Sequence, residues 1–354
     1  MDQFIIVGCD LHDRTMRLKI AVGRGEPVSR TWSNTPSSRK ALIVDLHRRA
    51  GEAGGARIVM AYEASGSGFV VCDELVAAGI ECHVLAPTRM EKSPKHCRGK
   101  TDDRDALDVL GRLRGHLLAG NELPSVWVPD LQTRDDRELV RVRQEAADKK
   151  TRIKTQIRWL LKRQGQEQAP AEAWTIDYYR WLNALSQGGL RFGAASALAS
   201  LVRQLQSVEQ EIDQLDKAVG QLSEQPRYRA AMEALRKLKG VGVLTGMVYL
   251  TEMGDPRRFV NRYQVGSFLG LTPSSNESGQ AEDRKGHITR QGSGRVRKVL
   301  CQAIWNRVRE GGPDHGKYQR LVARNPKHKK IAIVALMREL AVIMWHRAAE
   351  AVAA

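Results

Sequence analysis

A mixed α/β domain followed by a mostly helical remainder is the architecture this sequence predicts. Three observations lead to it. Over residues 1 to about 125, runs of strand length alternate with segments of helical periodicity. Residues 130–165 and 195–222 are rich in Arg, Lys, Gln, Glu and Leu with few breakers, the composition of long helices. From 223 onward, helical signals flank a centre rich in Gly and Ser. These shifts set boundaries at 1–128, 129–222 (with an irregular insertion at about 166–194) and 223–354.

The elements of the first domain follow in order. Residues 4–9, Phe-Ile-Ile-Val-Gly-Cys, are an unbroken apolar run and predict a buried strand. Residues 15–23 alternate apolar and polar, as a half-buried strand does. Arg24-Gly25-Glu26-Pro27 is a turn, and 28–33 returns as a third strand. Ser37 or Ser38 is placed to cap a helix running to about Ala50. A strand at 57–62, a helix at about 69–78, a strand at 80–85 and a helix at about 103–118 complete the set. Two strands hairpinned on a third, then helix, strand, helix, strand and helix, is an order that resembles the ribonuclease H-like fold.

In the second region, Leu139, Val142, Ile153, Ile157 and Leu160 recur at helical spacing, as do Leu201, Leu205, Val208, Ile212 and Leu215. They predict two long helices, forming an antiparallel pair or an intermolecular coiled coil. Between them, Pro170, Gly188-Gly189 and scattered aromatics read as a partly ordered connection. Further on, one helix ends near Gly240, and another starts at Val243 after Gly240-Val241-Gly242. Residues 272–294 are loop-like, and helices at about 295–310 and 328–348 flank Gly311-Gly312-Pro313. The apolar stretch 331–345 is interrupted by Arg338 and Glu339, so it reads as a core helix rather than a membrane span.

The net charge of +17 points to a polyanionic partner. The basic residues spread over most segments and flank no apolar span, which favours nucleic acid over membrane. Five cysteines, an odd number with no CxxC pair, fit a reducing cytosol. The N-terminal residues lack the basic-then-apolar pattern of a signal peptide, so a cytoplasmic protein is expected.

Four carboxylates carry the chemistry. Asp10 ends the first apolar run and Glu63 ends the run Ile58-Val59-Met60-Ala61-Tyr62. Asp102 and Asp105 stand three apart at the start of a helical pattern. Two strand ends and one helix face bring four acids together, and like charges that close need cations between them. In a basic chain this suggests two Mg2+ ions, or Mn2+, acting on a phosphodiester. Asp13, Asp73, Asp103 and Asp108 compete for these roles. Asp103 is rotated about 100° from Asp102 and faces away if Asp105 faces in.

Two further motifs bear on nucleic acid. Lys239-Gly240-Val241-Gly242 resembles a helix-hairpin-helix turn, whose glycines let backbone approach a phosphate; a plain helix corner has the same residues. The loop 271–280 contains Ser278, a candidate nucleophile or simply a turn residue. Arg284, Lys285, Arg290, Arg295 and Arg297 follow it and are suited to bind phosphate.

Taken together, the motifs resemble the IS110/IS1111 family of insertion-sequence transposases. Gly8-Cys9-Asp10, Glu63-Ala64-Ser65-Gly66 and Lys100-Thr101-Asp102-Asp103-Arg104-Asp105-Ala106 are similar to its three acidic motifs. Gly240-Val241-Gly242, Gly270-Leu271-Thr272-Pro273, Ser278-Gly279 and His287-Ile288-Thr289-Arg290-Gln291-Gly292 follow its C-terminal domain in order. Lys239 departs from the Pro often found there, and Ser293 from an Asn. The resemblance implies a RuvC-like DEDD domain, a coiled-coil region and a C-terminal domain with a catalytic serine. By motif match the acids are Asp10, Glu63, Asp102 and Asp105, and the serine is Ser278. It also implies recombination of donor and target DNA guided by a structured RNA from the flanking element. A dimer or tetramer is implied, with the acids of one subunit assisting the serine of another.

Two other readings use the same residues. A RuvC-like Holliday junction nuclease needs only the acids and hydrolyses the phosphodiester. A non-catalytic nucleic-acid-binding protein needs only the charge and the long helices.

Overall fold

A computed structural model of the chain describes residues 3–90, 102–166, 169–275 and 285–353. The chain divides into two compact units, 1–128 and 129–354.

The first unit holds β1 (Phe4–Leu11), β2 (Thr15–Val22), β3 (Val28–Ser33), α1 (Pro36–Glu52), β4 (Arg57–Glu63), α2 (Val70–Ala77), β5 (Glu81–Leu85) and α3 (Asp102–Ala119). The strands lie in the order β3-β2-β1-β4-β5. β1, β2 and β3 pair antiparallel, whereas β4 pairs parallel with β1 and β5. This mixed sheet is the one the element order predicts. Alternation along β1 divides its side chains between two cores. Ile5, Val7 and Cys9 join Leu42 and Leu46 of α1 and Val71 and Leu75 of α2. Ile6 joins Val59 and Ala61 of β4 and Val109, Leu110 and Leu113 of α3.

The cap of α1 differs from expectation. Thr35, not Ser37 or Ser38, is the cap, and its hydroxyl accepts from the Ser38 amide at 3.3 Å. Pro36 then occupies the first helical position, where a missing N–H costs nothing.

The second unit holds α4 (Leu131–Arg163), α5 (Ile176–Ala184), α6 (Phe192–Ser223), α7 (Pro226–Arg236), α8 (Val243–Met253), α9 (Arg262–Phe268), β6 (Pro273–Ser275), β7 (Lys285–Ile288), α10 (Gly294–Arg307), α11 (His315–Arg324) and α12 (Lys329–Ala353). α4 and α6 run antiparallel within the chain. Arg143 pairs with Asp216 at 2.7 Å and Lys150 with Glu209 at 3.0 Å, so numbers rise on one helix as they fall on the other.

The stretch 166–194 is not merely a connection: α5 and a π turn, Leu185–Gly189, close the end of the hairpin. Tyr178, Leu182 and Leu185 are buried against Ile157, Leu161 and Leu198. Their i, i+4, i+7 spacing is helical, but it is short and lies between Pro170 and a Gly pair. The interval before the last helix also contains α11, whose Tyr318 and Leu321 touch the core without being buried. Residues 272–294 are not wholly loop, because β6 and β7 pair antiparallel from Pro273 opposite Ile288. The last helix, α12, buries Leu336, Leu340, Ala341 and Met344 as a core helix. Among the described residues no helix is long and apolar enough to cross a membrane.

Candidate active site: an acidic cluster at the end of the parallel strands

The site is assembled by register and by one close approach. In the parallel pair, Cys9 of β1 lies opposite Tyr62 of β4. Asp10 and Glu63 are the next residues on their strands. Both have the parity of Ile6, Val59 and Ala61, which face α3.

Gly8, on that same face, lets α3 come close. A Cβ there would stand 2.4 Å from the Ala106 carbonyl oxygen and 2.4 Å from the Leu110 amide nitrogen, so no other residue admits the helix. α3 runs antiparallel to β1: Arg114 donates to the Gly23 carbonyl at 3.1 Å, and Gly23 donates to that of Phe4 at 2.9 Å. The first turn of α3, with Asp102 and Asp105, is thereby carried to the end of β1 that bears Asp10.

The resulting distances are short. His12 Nε2 lies 3.1 Å from Asp10 Oδ2 and 3.6 Å from Asp102 Oδ1. Asp10, His12 and Asp102 each offer one donor atom, and these atoms lie within 4.8 Å of one another. Burial pushes the Asp10 carboxyl above the ordinary carboxylate range; the charge of His12 pulls it down, while Asp105 and Asp102 push it further up. Three convergent donors of this kind suit a divalent cation.

Asp103 takes no part. It accepts from Lys19 at 2.5 Å, and that ammonium, working against desolvation, holds its carboxyl below the usual range. Asp13 accepts from the Ser67 hydroxyl at 3.1 Å. Beside the acids, Leu11, His12, Arg14, Thr15, Ser65 and Ser67 are among the residues lining a cleft of about 460 Å³.

Of the sequence-predicted acids, then, Asp10 and Asp102 meet, Asp105 acts on Asp10 through its charge, and Glu63 shares Asp10's strand end and face. His12 was missed by sequence reasoning. Its signal was parity: two residues beyond Asp10, it leaves the same side of the strand.

The residues proposed for nucleic acid are placed as follows. Ser278 and Arg284 lie outside the described residues. Lys285 opens β7. Arg290 has a left-handed backbone, φ 56°, and its amide donates to Gly270 at 3.3 Å. Arg295 pairs with Glu145 at 2.6 Å. Arg297 donates to the carbonyls of Gly292 at 2.7 Å and Leu269 at 3.0 Å, so it ties the strand loop to α10. At the glycine turn, Gly240 is left-handed, φ 85°, and faces the Ala303 carbonyl. Gly242 caps α8 and is exposed. Lys239 donates to Gly311 at 3.4 Å.

A second surface lies along the α4/α6 hairpin. A hollow of about 790 Å³ is lined by Arg152, Gln156, Trp159 and Arg163 of α4 and by Ser200 and Leu201 of α6, among others. An adjoining hollow shares Arg152 and Gln156 and adds Lys149 and Arg203. Among the described residues no carboxylate lines either one. Trp159 is 55% exposed.

Residues 232–319 match the model of the transposase IS116/IS110/IS902 family. Residues 7–164 match a second transposase model, named for the DEDD acids of IS110. The transposase-named protein y4qE of Sinorhizobium fredii is 28% identical over 319 residues, spanning 83% of this chain and 76% of its own length. The transposase-named y4rJ of the same organism is 26% identical, spanning 92% and 87%. The transposase for insertion sequence element IS1533 of Leptospira borgpetersenii is 24% identical, spanning 86% of each.

Proposed function

The chain belongs to the IS110 family of transposases, enzymes that transfer DNA strands, and from that premise we propose how it does so. We infer a recombinase in which a metal-bound acidic quartet and a serine nucleophile share the reaction, guided by an RNA encoded beside the gene. The observation that supports it most is the convergence of Asp10, Asp102 and His12 within 4.8 Å, with the charge of Asp105 also acting on Asp10.

In this reading Asp10, Glu63, Asp102 and Asp105 hold one or two divalent cations, Mg2+ or Mn2+. A cation bound there supplies charge neutralisation and polarisation at the reacting phosphate. Ser278 provides the nucleophile. Its Oγ forms a bond to phosphorus as the DNA P–O bond breaks, and the leaving strand oxygen takes a proton to become a hydroxyl. A hydroxyl from the partner strand then attacks the phosphoserine, joins the new strands and returns the proton to serine. Arg284, Lys285 and Arg290 balance charge on the phosphate. Residues 1–128 thus carry the acids, 223–354 carry the serine, and 129–222 serve assembly and binding. The hairpin hollow, with its cations and Trp159, suits a single nucleic-acid strand, phosphates on the cations and a base on the ring.

The test is strand exchange between donor and target DNA with purified protein, the RNA transcribed from the flanking DNA, and Mg2+. Both Asp102→Ala and Ser278→Ala abolish exchange, and suicide DNA traps on the wild type a covalent adduct that Ser278→Ala removes. Full exchange by Ser278→Ala, or hydrolysed ends without an adduct, contradicts the serine step.

A further inference from the structure

We propose that His12 is a direct ligand of the cation at the acidic site and biases that site toward Mn2+ over Mg2+. This rests on the metal-binding reading above and adds to it a residue of different chemistry.

The geometry carries the proposal. Donors in neighbouring positions around an ion, each about 2.1 Å from it, stand about 3.0 Å apart in an octahedron and about 3.4 Å apart in a tetrahedron. His12 Nε2 stands 3.1 Å from Asp10 Oδ2 and 3.6 Å from Asp102 Oδ1. Both separations are close to the edges of a coordination polyhedron, and the three donor atoms lie within 4.8 Å of one another, so a modest closing of the carboxylates brings all three onto one ion.

The frame that sets these distances is backbone. Asp10 is fixed by the β1 ladders to β2 and β4, and Asp102 by the approach of α3 to Gly8. His12 follows β1 directly, and Asn34 anchors its carbonyl at 2.8 Å. Its side chain is 46% exposed, so the ring reaches the site from the solvent side, where the cleft opens.

The donor set gives the preference. Mg2+ takes oxygen ligands in a near-ideal octahedron and keeps its waters. Mn2+ begins the transition series along which affinity for nitrogen donors rises, whereas Mg2+ lies outside that series. A site of carboxylates alone serves either ion. One imidazole adds a donor without adding negative charge, and that gain goes mainly to Mn2+.

There is a simpler role for the same contacts. A protonated His12 is a counter-charge to Asp10 and Asp102, and it would have to withdraw when a cation enters. The two roles predict opposite signs. Removal of a competing charge strengthens cation binding, whereas removal of a ligand weakens it.

Full-length wild type, His12→Ala, His12→Gln and Asp10→Asn are titrated with Mn2+ by electron paramagnetic resonance, with Mg2+ affinity read by competition. Electron spin-echo modulation from 14N is then recorded on the bound Mn2+. Wild type is expected to bind Mn2+ with 14N modulation. Both His12 variants lose the modulation and bind Mn2+ about tenfold more weakly, with Mg2+ affinity changed less than about threefold. Asp10→Asn loses the ion. Mn2+ bound in wild type and lost in Asp10→Asn, but without 14N modulation, overturns the His12 proposal and leaves the acidic site standing. Tighter cation binding by His12→Ala does the same. Wild type that binds no Mn2+ at the Asp10-dependent site overturns both.

Discussion

A methyl group on Gly8 has nowhere to go, because the backbone of Ala106 and Leu110 already fills its place. Gly8→Ala therefore pushes α3 off the sheet, and Asp102 and Asp105 move with it. Overpacking of this kind costs about 1–3 kcal/mol. The expected outcome is a lower denaturation midpoint together with weaker Mn2+ binding, measured on the same sample. A variant with reduced stability but unchanged ion affinity would show that the approach at Gly8 does not position the acids. At this scale much of the candidate site was legible in the sequence. Asp10 and Glu63 were visible as ends of apolar runs, and Asp102 and Asp105 as one face of a helix start. His12 was not, since its meaning depends on where the strand ends. A run stopping at Cys9 leaves it in a turn, whereas β1 continues to Leu11 and keeps His12 in step with Asp10.

Among elements, the start of α4 shows how capping and charge combine. Asp130 accepts from the Thr133 amide at 2.8 Å and pairs with Arg227 at 2.7 Å. Chiefly through the Arg227 guanidinium, its carboxyl is held below the usual carboxylate range. Because the folded value is the lower one, this group's stabilisation is fully present above the ordinary carboxylate pKa and is lost as pH falls through the folded value. Asp130→Ala is expected to cost about 1 kcal/mol at neutral pH, the worth of a cap. The loss shrinks below about pH 3.9. Thermal melts of both proteins from pH 7 to pH 2.5 check it: a difference constant across that range would contradict the assignment.

The hairpin of α4 and α6 yields the second prediction at this scale. Trp159→Ala is expected to weaken binding of a single strand by about 1–3 kcal/mol, the range for a base stacked on an aromatic ring. Paired replacement of Arg152 and Arg163 by Gln is expected to lower the salt dependence of binding instead. Fluorescence anisotropy of a labelled strand across a salt series separates the two effects. Unchanged affinity in both variants would remove the hairpin from the binding surface. The long helices were readable from composition because α4 holds no Gly or Pro and α6 holds none between Gly193 and Gly220, which leaves few alternatives. α5 and α11 were hidden for the opposite reason: each is short, and Gly or Pro nearby masks its periodicity.

Across the whole molecule, the charge of +17 and the acidic cluster describe one enzyme. On the proposed reading, the basic residues gather polyanion and the acids reach it through cations. The acids stand in the first unit and Ser278 in the sequence of the second. If the acids of one subunit serve the serine of another, a mixture of Asp102→Ala and Ser278→Ala proteins recovers strand exchange that neither performs alone. An inactive mixture, from proteins that each still bind DNA, would place both groups in the same subunit. The mixed sheet of the first unit was legible because β1, β2, β4 and β5 carried apolar runs or alternation, and the turn ending at Pro27 returned β3. The approach of α3 to β1 was not, since a single glycine sets it.

The account depends on a cation at the end of β1. Anomalous diffraction from crystals of the full chain soaked in Mn2+ tests this most directly. The account predicts a difference peak about 2.2 Å from carboxylate oxygens of Asp10 and Asp102. A map with manganese elsewhere in the chain and nothing between those two side chains would contradict it.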